Sequence, residues 1–369
     1  MTTTVDFSNE IKSRIKFLQK WISDESIGAI YLTPGDNFYY SSGFDTDSME
    51  RLLAVIITER NAIIISPLML EEQVSHTPWP GEIMTWKDGE DPYKSVIEVF
   101  TRYKVKTLGI EKKLSYSEAR KLSKLGIKKF EFVDEMFNSS RITKSKNEIE
   151  FIRTAVKRSE ASYKKTLDEI HQGITEIELA GLLEYNFKLH SLQSIAFESI
   201  VAFGENAGMP HHTPSGRKLR PGDIVLIDFG GKYNGYASDT TRTCAFEKID
   251  PKMRAIYEIV KEAQKKALEN IDEDSTYSSI DKTARDLITV NGYGEYFTHR
   301  VGHGLGIAVH EEPYLTSLNK HVVQKGSVFT IEPGIYLKGK GGVRIEDTVI
   351  FDGNKASPFN KLSKELTII

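Results

Sequence analysis

The stretch Leu226–Thr243, LIDFGGKYNGYASDTTRT, decides how this chain is read. Strand-like runs flank Asn234-Gly235, a dipeptide that favours a type I′ hairpin turn. The runs carry two aspartates, Asp228 and Asp239, although Asp is normally depleted in strands. A turn centred on Tyr233-Asn234 sets the two directly opposite one another. A turn at Asn234-Gly235 sets Asp228 opposite Thr241, with Asp239 as its diagonal neighbour. Either register puts both carboxylates on one face, because strand side chains alternate with period two. Two like charges so placed are destabilising unless the face is solvated or a cation lies between them. The hairpin alone leaves both readings open.

A second hairpin repeats the arrangement: SVFTIEPGIYL (327–337) runs against GGVRIEDTVIF (341–351), with Glu332 and Glu346 among β-branched residues. Between the hairpins lies THRVGHGLGIAVHE (298–311), with His299, His303 and His310. Gly302 and Gly304 flank His303, which predicts close backbone approach and unusual dihedrals there. The run is not a dinucleotide fingerprint, since it lacks the full G-x-G-x-x-G spacing and a preceding buried strand. Upstream, MPHHTPSG (209–216) adds His211 and His212, while His321 reads as a surface residue. Four carboxylates and one imidazole make a hard, oxygen-rich site with room for two divalent cations. Bridging carboxylates and a metal-bound hydroxide are the usual consequence.

The rest of the chain bounds the setting. At 369 residues, with 39% apolar and 27% charged residues, it suits two globular domains. Lys plus Arg (49) against Asp plus Glu (52) gives a net charge of -3, which argues against a nucleic-acid partner. The lone Cys244 excludes an intramolecular disulfide framework and a Cys-rich zinc site, and reads as a small buried hydrophobe. The N-terminal MTTTVDFSNEIKSRIKF has no apolar leader core, and runs such as LLAVII (52–57) are too short to span a bilayer. A cytoplasmic protein with no membrane partner is expected.

Organisation follows from periodicity. Ile11, Ile15, Leu18 and Ile22 recur at helical spacing, with Ser8 as the expected N-cap. Strand-like runs follow from Ile27, Leu52, Ala62, Thr107 and Phe130, and their alternation with helices predicts a mixed or parallel sheet covered by helices. A boundary is expected near 136–151, before a helix whose apolar face uses Ile149, Ile152, Ala155 and Val156. The chain to about Arg220 reads as mainly helical, and a further helical block runs from Pro251 to about Val290. Two helical blocks, each followed by an acid-bearing hairpin, suggest a duplicated α+β half.

The motifs DFGGKYNGYASDTTRT, GHGLGIAVHE, TIEPG and GVRIED together resemble the successive metal-site motifs of the M24 metallopeptidases, the "pita-bread" enzymes that include Xaa-Pro dipeptidases, aminopeptidases P and methionine aminopeptidases. The likeness spans about Lys144 to the C-terminus, and NFYYSSGF (37–44) is similar to the creatinase/prolidase-type N-terminal domain. The resemblance implies an α/β domain over 1–140 and an α+β pita-bread catalytic domain over 141–369. It implies that Asp228 binds one metal, that Asp239 and Glu346 bridge, and that His303 and Glu332 complete the second site. Glu332 would also act as general base. His211 and His310 would serve catalysis, and His299 the substrate. Arg344 would orient Glu346 or meet a substrate carboxylate; His212 matches no role.

The expected reaction is hydrolysis of the bond preceding proline, in a small peptide with proline at its second position. A dipeptidase is favoured over an aminopeptidase P acting on longer peptides. Methionine aminopeptidases generally lack the N-terminal domain. A creatinase-like C–N hydrolase and a non-catalytic binding module are less favoured, because all five ligand positions are kept. The implied cofactors are two divalent ions per subunit, Mn²⁺ or Co²⁺ ahead of Zn²⁺ or Fe²⁺. The resemblance also implies a homodimer in which the N-terminal domain helps close the neighbouring site.

Overall fold

The computed structural model describes residues 7–46 and 50–369, so the first six residues of the N-terminal stretch lie outside it. The chain divides into two compact units, Met1–Ser140 and Arg141–Ile369.

The first unit runs α1 (Ser8–Asp24), β1 (Ala29–Leu32), α2 (Asp36–Ser42), β2 (Ala54–Thr58), β3 (Ala62–Pro67), α3 (Glu71–Ser75), β4 (Glu82–Trp86), α4 (Tyr93–Arg102), β5 (Thr107–Ile110), α5 (Tyr116–Lys124) and β6 (Lys129–Phe132). Helix α6 (Asp134–Ile142) crosses the division. Six strands form a mixed sheet in the order β4-β3-β2-β1-β5-β6, parallel except where β2 meets its neighbours. The three central strands are buried on both faces, which is why their sequences are nearly continuous Ile, Val and Ala rather than alternating. Helix α1 buries Ile11, Ile15, Leu18 and Ile22 as its spacing predicts. Ser8 is not its N-cap: the helix begins at Ser8, after Phe7. Edge strand β4 escapes a reading of periodicity because most of it is only partly buried.

The second unit opens with α7 (Lys146–Leu167), started by a reciprocal capping box between Ser145 and Glu148, and α8 (Glu176–Leu189), started by another between Thr175 and Glu178. Short β7 (Ser194–Ile195) and β8 (Ile200–Phe203) follow, so the region up to Arg220 is less helical than expected. Then come β9 (Ile224–Phe229), β10 (Gly231–Tyr233), β11 (Tyr236–Ala237) and β12 (Thr240–Ala245). Helices α9 (Pro251–Glu269) and α10 (Tyr277–Val290) separate these from β13 (Gly302–Gly304), β14 (Glu311–Leu315), β15 (Val328–Ile331), β16 (Gly334–Leu337), β17 (Gly341–Arg344), β18 (Asp347–Phe351) and β19 (Ala356–Pro358). Sheets β12-β9-β8 and β14-β13-β15-β18-β19 carry the two acid-bearing hairpins, whose tips form the smaller sheets β11-β10-β7 and β16-β17.

The two halves share local bonding. Glu176 N–H donates to the Arg217 carbonyl and Ile177 N–H to that of Ser215 (both 3.2 Å). At the matching place in the second half, Tyr277 N–H donates to His321 O (3.1 Å) and Ser278 N–H to Asn319 O (2.8 Å). Each helix start is thereby tied to the segment that precedes its hairpin. Among the described residues, no helix is long and apolar enough to cross a membrane.

Candidate metal centre

The first hairpin turns at Asn234-Gly235, both with positive φ (45° and 71°), as a type I′ turn requires. The register therefore pairs Tyr233 with Tyr236 and Asp228 with Thr241. Asp239 is the same-face diagonal neighbour of Asp228. In β9, Val225, Ile227 and Phe229 join one apolar cluster, while Ile224 and Leu226 join another. Asp228 continues the parity of the second set. The second hairpin pairs Ile331 with Asp347 and Gly334 with Arg344, and the same register sets Glu332 opposite Glu346. Glu346 N–H donates to the Thr241 carbonyl (3.1 Å), so a backbone bond links the two hairpins at the site.

His303 enters from β13, where the ladder shifts register between His303 and Gly304. Its flanking glycines serve close approach: a Cβ on Gly302 would lie 1.9 Å from the Thr330 carbonyl oxygen, and one on Gly304 2.3 Å from that of Glu312. The unusual dihedrals expected there are absent, since neither glycine has positive φ. Nδ1 of His303 lies 3.1 Å from the Gly304 carbonyl, which favours a proton on that nitrogen and leaves Nε2 as a lone pair donor. Nε2 is 3.2 Å from Glu332 Oε1 and 3.5 Å from Asp239 Oδ2.

The donor atoms of Asp228, Asp239 and Glu346 lie within 4.8 Å of one another, as do those of His303, Glu332 and Glu346. Asp239, His303 and His310 form a third such group. Asp228 Oδ1, Asp239 Oδ1 and Glu346 Oε1 are buried with no hydrogen-bond partner. Buried carboxylate oxygens ordinarily find donors, so three orphans at one place fit cation ligation. Burial, then Glu346, Asp228 and Glu332, push the Asp239 carboxyl well above its ordinary range. Burial, then Glu332 and Asp228, do the same to Glu346. Asp228 is also raised, chiefly by burial, although Arg344 opposes the shift. Glu332 goes the other way: burial would raise it, but His303, His299 and Arg344 together hold it below the ordinary range.

The surrounding polar groups were the part that the sequence concealed. Thr241 Oγ1 donates to Glu346 Oε2 (2.7 Å), and Thr330 Oγ1 to Glu332 Oε1 (3.2 Å). Arg344 was expected to orient Glu346 or to meet a substrate. Its guanidinium donates to Asp228 Oδ2 (2.7 Å), Thr241 Oγ1 (2.9 Å), Tyr336 OH (2.9 Å) and the Pro210 carbonyl (3.2 Å). Four of its five N–H donors are thus engaged, and it reaches Glu346 only through Thr241. Tyr336 OH also lies 2.8 Å from His299 Nε2, which makes the tyrosine a link that no motif announced.

The histidines differ in placement. His299 is half-buried, and burial lowers its pKa despite Glu332 nearby. His310 packs edge-on against His303, with centroids 4.1 Å apart. Partial burial, His303 and Arg300 push it down to about 4, so it is neutral at pH 7. His211 is exposed, and its charge is felt at both His299 and His310. His212 binds Glu176 (2.8 Å), away from the carboxylate cluster, and His321 is exposed.

Glu311, next to His310, is buried between Arg141 and Lys144 (2.7 Å from Lys144 Nζ). Burial raises its carboxyl, but the two cations overcome this and hold it below the ordinary range. Glu311→Gln is expected to cost about 3–5 kcal/mol at pH 7, because it removes the buried carboxylate that two buried cations share. The folded pKa lies below the unfolded one, so this stabilisation is full above about pH 4.3 and is lost as pH falls through the folded-state value. Denaturant unfolding of metal-free protein at pH 7 and at pH 4 checks it. A pH 7 deficit under about 1 kcal/mol would contradict the stated role of the pair.

Acids and a histidine that could hold a metal ion, on two hairpins related by an internal repeat, fit the class of metal-dependent enzymes, here with an N-terminal α/β domain. The comparisons agree: residues 150–352 match metallopeptidase family M24, and residues 14–143 match the creatinase/prolidase N-terminal domain. The chain belongs to the M24 metallopeptidases and has their pita-bread catalytic fold. It is 35% identical to the Xaa-Pro dipeptidase of Pyrococcus furiosus, over 96% of this chain and 100% of that protein. The prolidase structure from Thermococcus sibiricus superposes with a TM-score of 0.92 at 37% identity, covering 97% of this chain and 99% of the other. An X-Pro aminopeptidase from Thermotoga maritima superposes at 0.86 with 31% identity, covering 93% and 98%.

Proposed function

We propose that the protein is a Xaa-Pro dipeptidase that holds two divalent ions on Asp228, Asp239, His303, Glu332 and Glu346. The observation that carries this is the set of three buried, unpartnered carboxylate oxygens converging beside a histidine whose Nε2 faces the same carboxylates. Asp239 and Glu346 belong to two donor groups each, which suits bridging positions. When bound, the ions supply Lewis-acid polarisation of the scissile carbonyl and a nucleophile at neutral pH. The substrate bond suits this chemistry: an amide to proline is tertiary and has no N–H for a protease to grip.

The chain's residues do the remainder. Glu332, held by Thr330, accepts the proton of the attacking water. Arg344 fixes the Asp228 carboxylate and, through Thr241, that of Glu346. His310, neutral at pH 7, offers an N–H to the developing oxyanion or the leaving nitrogen, with His211 on the open side. His299, braced by Tyr336, lines the substrate side. We assign Mn²⁺ or Co²⁺ to the sites ahead of Zn²⁺ or Fe²⁺, since one imidazole among carboxylates is a hard donor set. A cytoplasmic homodimer completes this reading.

The second reading, an aminopeptidase P acting on longer peptides, is favoured by the likeness to the Thermotoga aminopeptidase. Comparing Mn²⁺-loaded enzyme on Ala-Pro and on Ala-Pro-Ala separates the two. The proposal predicts cleavage of Ala-Pro and little of the tripeptide. Cleavage of the tripeptide alone would reject it. Chelation should abolish turnover, and Mn²⁺ or Co²⁺ should restore it.

A further inference from the structure

We infer that Glu176, on α8 and outside the carboxylate cluster, is a positioning residue that fixes the loop carrying His211. Its side chain is fully buried at the first turn of the helix. One oxygen accepts from Phe203 N–H (2.8 Å) and Asn206 Nδ2 (2.9 Å). The other accepts from His212 Nε2 (2.8 Å), Ser215 N–H (3.0 Å) and Ser215 Oγ (2.6 Å). A single carboxylate therefore gathers four residues of the segment 203–215. Charge-assisted bonds of this kind are short and directional, so they hold backbone more firmly than neutral ones. These donors overcome burial and keep the carboxyl below its ordinary range, hence ionised at pH 7.

His211 lies in the middle of this grip. The preceding carbonyl, Pro210 O, is held by Arg344, and the following side chain, His212, is held by Glu176. An exposed imidazole is thereby pinned on both sides along the chain. The internal repeat shows that the fold itself does not call for a carboxylate at this point. The matching helix position is Tyr277, which is buried edge-on against Phe329 (6.1 Å, 88°). A buried side chain suffices there; a buried anion with five donors is what the His211 half adds.

The inference rests on the reading of His211 as a catalytic histidine, and a double-mutant cycle separates the two. Metal-loaded wild type, Glu176→Gln, His211→Ala and the double variant are compared for kcat on Ala-Pro, bound metal and Tm. Gln keeps the size of the side chain but turns an NH₂ towards a backbone N–H, that of Phe203 or that of Ser215, whichever way the amide lies. Glu176→Gln should lower kcat about 10- to 100-fold with bound metal unchanged, as expected for a partner that orients a functional group. In the His211→Ala background the same change should leave kcat where it was, while its effect on Tm persists. Should Glu176→Gln fail to fold, His212→Leu takes its place in the cycle, and His212→Gln, which keeps a donor near Nε2, should restore kcat. If the kcat losses multiply, Glu176 acts independently of His211 and the inference is overturned, with the role of His211 intact. If His211→Ala turns over Ala-Pro at the wild-type rate, the reading of His211 falls and the inference falls with it.

Discussion

Asp239→Asn is expected to reduce kcat/KM on Ala-Pro by about 10³-fold or more, the scale seen when an essential group of an active site is removed. Asp239 is one of two acids that belong to two donor groups: its oxygens approach Asp228, Glu346 and His303, and one of them has no hydrogen-bond partner. An amide there keeps the shape but halves the acceptor capacity and removes the charge that would bridge two cations. The fold should survive, because the side chain's own burial is its main electrostatic burden and its neighbours Glu346 and Asp228 repel it. We therefore expect metal-free Asp239→Asn to melt at or above the temperature of metal-free wild type, while binding fewer ions. Activity within tenfold of wild type would contradict the assignment, and a collapse of the metal-free fold would contradict the electrostatic account.

Arg344→Leu carries the next largest effect. The guanidinium is 3% exposed and ties together Asp228, Thr241, Tyr336 and the loop carbonyl of Pro210. Removing one partner of a buried ion pair costs about 3–5 kcal/mol, since the other charge is left without compensation. Three raised carboxyls already crowd this place, so losing the only cation bonded to Asp228 in the described structure should be costly in metal-free protein. Metal loading should recover part of the lost stability by replacing the missing positive charge. Turnover should fall about 10- to 100-fold even when loaded, because Asp228 and Thr241 lose their orienting donor. Arg344→Lys should rescue poorly, as an ammonium cannot reproduce the fork that reaches four acceptors. Near-wild-type stability of the metal-free leucine variant would refute this account.

What the sequence made legible was what depends on neighbours in the chain. The Asn-Gly turn set the register of the first hairpin, and parity then put Asp228 and Asp239 on one face. The central strands and helix α1 followed from their apolar periods. Two strands did not: the four-residue β8 follows a long helical stretch, and the partly exposed β4 lies at a sheet edge. The supporting shell was hidden for a different reason. Arg344 meets Asp228 across 116 positions, Thr241 meets Glu346 across 105, and Glu176 meets His212 across 36. No local period encodes such pairings: the first two arise from the docking of one hairpin on the other, and the third from the packing of α8 against the loop before the first hairpin. The position of Arg344 beside a metal-site motif pointed to Glu346 or a substrate as its partner, whereas its bond to Asp228 crosses to the opposite hairpin.

On the proposed assignment, five side chains from two hairpins and one bulged strand hold two cations. A crystal of Mn²⁺-loaded enzyme measured for anomalous scattering tests it most directly. Two manganese peaks per chain are predicted, bracketed by Asp228, Asp239 and Glu346 on one side and by His303, Glu332 and Glu346 on the other. An active crystal form with manganese elsewhere, or with no peak between these residues, would contradict the account.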